Sequence, residues 1–214
     1  MKNNLKIERA KLPERLPILK ISENLSDEDE LRSGQLVNCT ILNQFTDKLY
    51  FDQVFFKNVT FENVSLRNIE LTDVIFDNCN LSNVDFSDAI IHRAVFTKSK
   101  LTGANLSGST FRNVMFEECT ANYASFGFSD IKHVKFRETL MNNADLYECK
   151  LNGVQFEECS LEELNIAGTS LKGIDLSSCQ FENITVTVEH LPGCIVTPEQ
   201  AIGFSKALGL TVKE

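Results

Sequence analysis

From Leu36 to Val186 every fifth residue is large and apolar, and no insertion ever breaks the register. The series opens Leu36, Ile41, Thr46, Phe51, Phe56, Phe61 and closes Leu176, Phe181, Val186; of its 31 positions only Thr46 and Ala121 are small or polar. A helix repeats every 3.6 residues and a strand every two, so neither accommodates this pattern. A second series lies two residues earlier; from Val54 to Ile184 it is small or β-branched apart from Leu164. Residues two apart on extended chain face the same way, so both series face inward. The next small residue comes three later and would face outward on a straight strand. The chain must therefore turn a corner in each five-residue unit. Asn58, Asn63, Asn68, Asp73, Asn78, Asn83, Asp88, Gly103 and Gly108 occupy that corner, and these residue types tolerate turn conformations.

A 20-residue recurrence sets the number of corners per coil. Phe56, Phe76, Phe96, Phe116, Phe136 and Phe156 are 20 apart, as expected where like residues stack on successive coils. All seven cysteines fall in the small inward series, and Cys39, Cys79, Cys119, Cys159 and Cys179 share one 20-residue column. Four units per coil give a four-sided all-β solenoid of about eight coils. At the ~4.8 Å spacing of paired strands it is about 37 Å long.

The ends lack the period. Residues 1–33, with the acidic run Asp27-Glu28-Asp29-Glu30, are expected to cap the β-helix of residues 34–191, because a stacked coil otherwise leaves open edges. In residues 192–214, Thr197-Pro198-Glu199-Gln200 predicts a helix start with a Thr N-cap, Pro at the first helical position and a Gln capping box. Gly209 predicts its stop. The short helix carries an apolar face of Ala201, Ile202, Phe204 and Leu208, followed by Leu210 and Val212. That face is either a lid on the last coil or a dimer contact.

Net charge is −9, which argues against direct nucleic-acid binding. Residues 34–114 hold seven basic and eight acidic residues, whereas residues 115–191 hold five and 13. The excess is thus on the C-terminal half of the rod. Glu118, Glu138 and Glu158 are 20 apart and stack; Glu117 and Glu157 lie beside them, with Glu162 and Glu163 one unit on, and Asp145 and Glu148 nearby in sequence. Like charges ~5 Å apart on adjacent strands repel. The ladder is either a solvated face or a regular array of negative charge for a basic groove. Tyr123, Phe128 and Tyr147 are aromatic at outward positions.

Catalysis and cofactors are not expected. Paired carboxylates need a cleft to act as acid and base, and a filled rod offers none. The cysteine spacing matches no metal-ligand pair, and His92, His133 and His190 form no constellation. The opening has no apolar leader and no stretch long enough to span a membrane, so a cytoplasmic chain with reduced cysteines is expected.

The unit seen as Ala104-Asn105-Leu106 and Ala144-Asp145-Leu146 resembles that of the pentapeptide-repeat proteins. That resemblance implies a right-handed quadrilateral β-helix. A narrower resemblance covers nearly the whole chain. Leu12-Pro13-Glu14-Arg15-Leu16-Pro17, Ala121-Asn122-Tyr123-Ala124-Ser125-Phe126, Val196-Thr197-Pro198-Glu199-Gln200-Ala201-Ile202 and Ala207-Leu208-Gly209-Leu210 look like the chromosomal Qnr-type proteins of Gram-positive bacteria. It implies a non-catalytic homodimer joined by the C-terminal segment. Such a dimer mimics DNA, binds DNA gyrase and topoisomerase IV, and protects them from quinolones. It also implies partner contacts through Glu117, Glu118, Glu138, Asp145, Glu148, Glu157, Glu158, Glu162 and Glu163, and a dimer interface of Ala201, Ile202, Phe204, Leu208 and Leu210. The unbroken register lacks the loop insertions of plasmid-borne relatives. The alternative is an interaction scaffold with another partner.

Overall fold

Every fifth residue from Ser33 to Gly173 takes up left-handed backbone; Asn58, Asn63 and Asn68, for example, have φ of 53°, 54° and 54°. These are the corners anticipated from the Asn, Asp and Gly positions. A computed structural model describes residues 6–20, 25–207 and 209–211. It is a four-sided β-solenoid of about eight turns ended by one short helix, as the periodicity predicts. Each turn has four corners. They fall, in the first turn, at Ser33, Asn38, Asn43 and Lys48, and are numbered one to four below.

Seven parallel strands of eight residues, from Glu30–Val37 through Tyr50–Lys57 to Lys150–Glu157, form one continuous sheet. Each strand passes through corner one at its fourth residue, as at Gln53 and Asp73. Pairing is in register at 20 residues: Phe56 faces Phe76, Phe76 faces Phe96, Phe96 faces Phe116. The rings stack 4.6, 4.7 and 4.8 Å apart, within 10° of parallel. That separation is the strand spacing itself, so ring stacking and backbone pairing satisfy one geometry.

The small inward positions carry several hydroxyls and thiols. Ser99, Ser109, Ser129 and Thr139 are buried. Each donates to a carbonyl of the preceding coil, and Ser99, Ser109 and Thr139 also to one of their own; Ser99 Oγ, for instance, reaches Thr97 O at 2.9 Å and Phe76 O at 3.3 Å. Cys79 and Cys119 do the same with their thiols. Small polar residues are therefore tolerated in the core because every corner brings a carbonyl within reach.

Both ends are closed. At the start, Leu19 N–H donates to Gln35 O and Gln35 N–H to Pro17 O, both at 2.8 Å, so residues 17–19 pair with the free edge of the first strand. Gly34 permits this: a Cβ there would lie within 3 Å of the Leu19 side chain. The first strand opens at Glu30, so the last residues of the segment set aside as a cap already belong to the coil. Within the acidic run, Asp27 accepts from Asp47 N–H at 2.8 Å and Asp29 from Ser26 N–H at 2.8 Å.

At the other end the helix Pro198–Ala207 begins with the anticipated capping box: Gln200 N–H donates to Thr197 Oγ1 at 3.2 Å and Thr197 N–H to Gln200 Oε1 at 2.9 Å. Gln200 Nε2 also caps Leu176 O and Cys179 O, at 2.9 and 2.8 Å, carbonyls that the last coil would otherwise leave bare. Gly209, at φ 72°, ends the helix, with Leu210 N–H donating to Ser205 O.

Phe96 is fully buried between two stacked rings. Phe96→Ala should therefore cost about 3–5 kcal/mol. Urea unfolding checks this, and a loss below about 1 kcal/mol would mean that the column relaxes to fill the hole.

Candidate functional site

Corner chemistry changes abruptly along the rod. From Asn38 to Asn113 there are 16 left-handed corners, and 12 are Asn, Asp or Gly. From Glu118 to Glu163 there are ten, and only Asn143 and Gly153 are of that kind. The other eight are Glu118, Tyr123, Phe128, His133, Glu138, Glu148, Glu158 and Glu163, with φ between 49° and 61°. Left-handed backbone costs a residue with a Cβ roughly 1–2 kcal/mol. The C-terminal half thus carries more of this strain than the N-terminal half, where from Asn38 to Asn113 only Lys48, Gln53, Arg93 and Lys98 bear it.

Corner two shows the exchange most clearly. In the first coils Asn78 Nδ2 donates to Asn58 Oδ1 at 2.8 Å and Asn58 Nδ2 to Asn38 Oδ1 at 2.7 Å, a ladder of side-chain amides. Further along the same edge the residues are Lys98, Glu118, Glu138 and Glu158. Amide bonds give way to like charges on adjacent coils, which repel. Two independent local costs are accepted along one edge, and neither helps the fold.

The nine acidic residues singled out from the sequence divide into two sets. Glu118, Glu138, Glu148, Glu158 and Glu163 are exposed, and all five are left-handed corner residues. Glu117, Asp145, Glu157 and Glu162 are half-buried and engaged within the chain. Glu117 pairs with Arg137, and Glu157 pairs with Lys135 at 2.7 Å. Asp145 accepts from Tyr147 N–H and Asn165 Nδ2, at 3.0 and 2.8 Å. Glu162 accepts from Glu182 N–H and Asn183 Nδ2. Arg137 also lies 3.7 Å from Glu138.

The exposed set is not on one edge. Glu118, Glu138 and Glu158 line corner two, Glu163 sits at corner three, and Glu148 is at corner four, diagonally across the rod from corner two. Beside Glu148 the rings of Phe128 and Tyr147 meet edge to face at 5.4 Å. Tyr123 and Phe128 are 65% and 62% exposed, so these aromatics project from the rod rather than cover a defect at Ala121, which is buried. The hydrogen bond to Glu148 pushes the Tyr147 phenol above its ordinary pKa.

Sequence reading missed the basic partners. Glu117, Arg137 and Glu157 are 20 apart and alternate in sign along one column, a signal visible to anyone who tabulates outward columns as well as inward ones.

The dimer residues inferred by resemblance also divide. Phe204 turns into its own chain and meets Phe181 at 5.7 Å, and Gly203 lets the helix approach Glu182 O closely. Ala201, Ile202 and Leu210 stay exposed. Leu208 and Val212 lie outside the described residues.

Cys79, Cys119 and Cys149 are not activated nucleophiles. Burial pushes Cys79, Cys119 and Cys149 up to about 11, far from the depressed values that reactive cysteines need. Cys159 is pushed up first by its hydrogen bond with Cys179, then by burial. Among the described residues no group of three or more His, Cys, Asp or Glu could hold a metal ion, and no helix is long and apolar enough to cross a membrane.

Family comparisons agree with the repeat. Residues 69–146 match the pentapeptide repeat region family and residues 139–177 match pentapeptide repeats in eight copies, so together they span 69–177. HetL, a pentapeptide repeat protein involved in heterocyst differentiation regulation in the cyanobacterium Nostoc, is 16% identical. The likeness covers 79% of this chain and 85% of that one, with a TM-score of 0.50. QnrB1, a plasmid-mediated fluoroquinolone resistance protein, is 18% identical over 83% of this chain and 100% of that one, at 0.41. A pentapeptide repeat protein of the Arabidopsis thaliana thylakoid lumen is 21% identical over 49% and 66%, at 0.35. Among curated proteins none matches significantly. The likeness to HetL bears on the fold alone.

Replacing Glu118, Glu138 and Glu158 together with Asn should raise stability by about 1–3 kcal/mol, because Asn relieves both strain and repulsion. Thermal unfolding should show a higher midpoint, with the gain shrinking in high salt. An unchanged midpoint would mean that these corners carry no local cost.

Proposed function

We propose that this chain, which belongs to the pentapeptide-repeat proteins, is a non-catalytic binding protein that offers its acidic edge to the DNA-binding surface of a type II topoisomerase. The observation that carries this reading is the column Glu118, Glu138, Glu158, exposed and held in left-handed backbone. Residues that cost the fold on an outward edge are the ones a binding function retains. The resemblance of the opening, middle and closing segments to Qnr-type proteins supplies the class of partner: DNA gyrase and topoisomerase IV.

The chemistry of the partner surface fits. A protein that grips DNA presents rows of Lys and Arg to the phosphates. The corner column offers one carboxylate per coil, about every 4.8 Å, against one phosphate per ~3.4 Å along a DNA strand. The rod therefore imitates the sign of DNA at lower charge density. Glu163 extends the column around the next corner, while the ion-paired Glu117 and Glu157 hold Arg137 and Lys135 beside it. Dimerisation through Ala201, Ile202 and Leu210 would join two rods at their acidic ends and lengthen the surface. Quinolone protection follows if the dimer displaces the DNA on which the drug acts.

A second reading has its own observation. Arg137 and Lys135 neutralise part of the acidic set, and Tyr123, Phe128 and Tyr147 give the same coils an aromatic surface. An interaction scaffold for a different protein would use such a mixed surface.

Titration of the protein into gyrase supercoiling with ciprofloxacin decides between them. Restored supercoiling supports protection; inhibition without restoration supports DNA mimicry alone; no effect on a cognate gyrase favours the scaffold. In the first two cases Glu118→Lys, Glu138→Lys and Glu158→Lys together should weaken the effect by about tenfold or more, since each reversal turns attraction into repulsion. Light scattering should give a dimer mass that Ile202→Glu halves; a monomeric parent would remove the dimer from this reading.

A further inference from the structure

Four outward residues on the side between corners one and two are apolar: Phe55, Ile75, Val95 and Met115, paired coil to coil through the sheet. Apolar residues at the same place in the repeat are open on the other sides: Phe45 is 64% exposed, Ile90 48% and Leu140 44%. The four in the stripe are only half-exposed at most.

The N-terminal arm, residues 6–19, runs along the adjoining corner one. It is anchored there by polar contacts at Gln53, Asp73 and Asn113. Glu8 N–H donates to Asn113 Oδ1 at 3.3 Å, Lys11 N–H to Asp73 Oδ1 at 2.9 Å, and Gln53 Nε2 to Lys11 O at 3.1 Å. Gln35 Nε2 donates to Leu16 O at 2.7 Å before residues 17–19 pair with the first strand. From Asn113 to Asp73 is two coils, about 10 Å, which three extended residues span. Within residues 6–20 the half-buried side chains are Ile7, Ala10, Leu12, Leu16 and Leu19, all apolar, while every charged residue is exposed. The central anchor is itself firmly held. Asp73 is nearly buried and takes Arg93 Nε and Nη2, both at 2.6 Å, with the Lys11 amide as a third donor.

We infer that residues 6–19 are a clamp that seals the Phe55–Met115 stripe and ties coils one to five into a single cooperative unit. A solenoid coil touches only its neighbours, so each coil can open with little effect beyond the next. One segment crossing five coils couples them directly. Coils six and seven, which carry Glu138, Glu148, Glu158 and Glu163, lie beyond its reach and retain ordinary neighbour-to-neighbour stability. The clamp divides the rod into a stiff half and a half free to adjust to a partner.

Native-state hydrogen exchange on the full chain tests this. Ile7→Ser with Leu12→Ser loosens the arm while leaving every coil residue in place. Exchange should quicken by about tenfold or more in strands 50–57, 70–77, 90–97 and 110–117 and stay unchanged in 150–157. Arg9→Ser with Arg15→Ser, at exposed arm positions, should change none of them. A dye that fluoresces on apolar surface should bind the Ile7/Leu12 variant more strongly than the parent. Unchanged exchange in the first five coils, or quickening spread evenly over the rod, would overturn the clamp.

Discussion

Everything in this rod depends on one register: successive coils pair 20 residues apart, at the spacing of a parallel sheet. The register places Phe56, Phe76, Phe96 and Phe116 ring upon ring, and a single residue of slip would turn each ring toward solvent. It also places each small inward hydroxyl or thiol beneath a carbonyl of the preceding coil, as with Ser99 and Phe76 O. One geometric condition therefore satisfies both the apolar and the polar demands of the core.

The same register turns outward differences into columns, and columns are where a function can be written without disturbing the core. At corner two, Asn38, Asn58 and Asn78 bond to one another, whereas Glu118, Glu138 and Glu158 repel. The inward residues beneath are alike in both halves: Cys39, Cys79, Cys119 and Cys159 follow the same edge. Local stability is spent mainly on the surface of the C-terminal half. Salt bridges from Arg137 and Lys135 limit the repulsion without erasing the exposed corner charges.

The two ends solve the open-edge problem by different means. Residues 17–19 pair with the first strand through backbone bonds, and the C-terminal helix closes the last coil with the side chain of Gln200 and the ring of Phe204. Paired edges keep a β-solenoid from growing by aggregation. The helix does this with one face and leaves Ala201 and Ile202 on another, so lid and exposed apolar surface coexist in one element.

Much of this was legible in the residues. The five-residue period, the corner positions, the 20-residue coil, the capping box at Thr197 and Gln200 and the stop at Gly209 all follow from local chemistry, because each depends on neighbours a few positions away or on strict repetition. The acidic set was legible only in part. Repetition revealed that Glu118, Glu138 and Glu158 share an edge, but not that Glu117 and Glu157 would be taken up by Arg137 and Lys135 or that Glu148 would point to the diagonal corner. The arm escaped altogether: residues 6–19 have no period, and their place is set by the stripe Phe55, Ile75, Val95 and Met115, up to 100 residues away in the chain. Periodic sequence determines a coil because every unit repeats the same local instruction. Where an aperiodic segment lies, and which charges remain free, is decided only when the folded rod brings distant residues side by side.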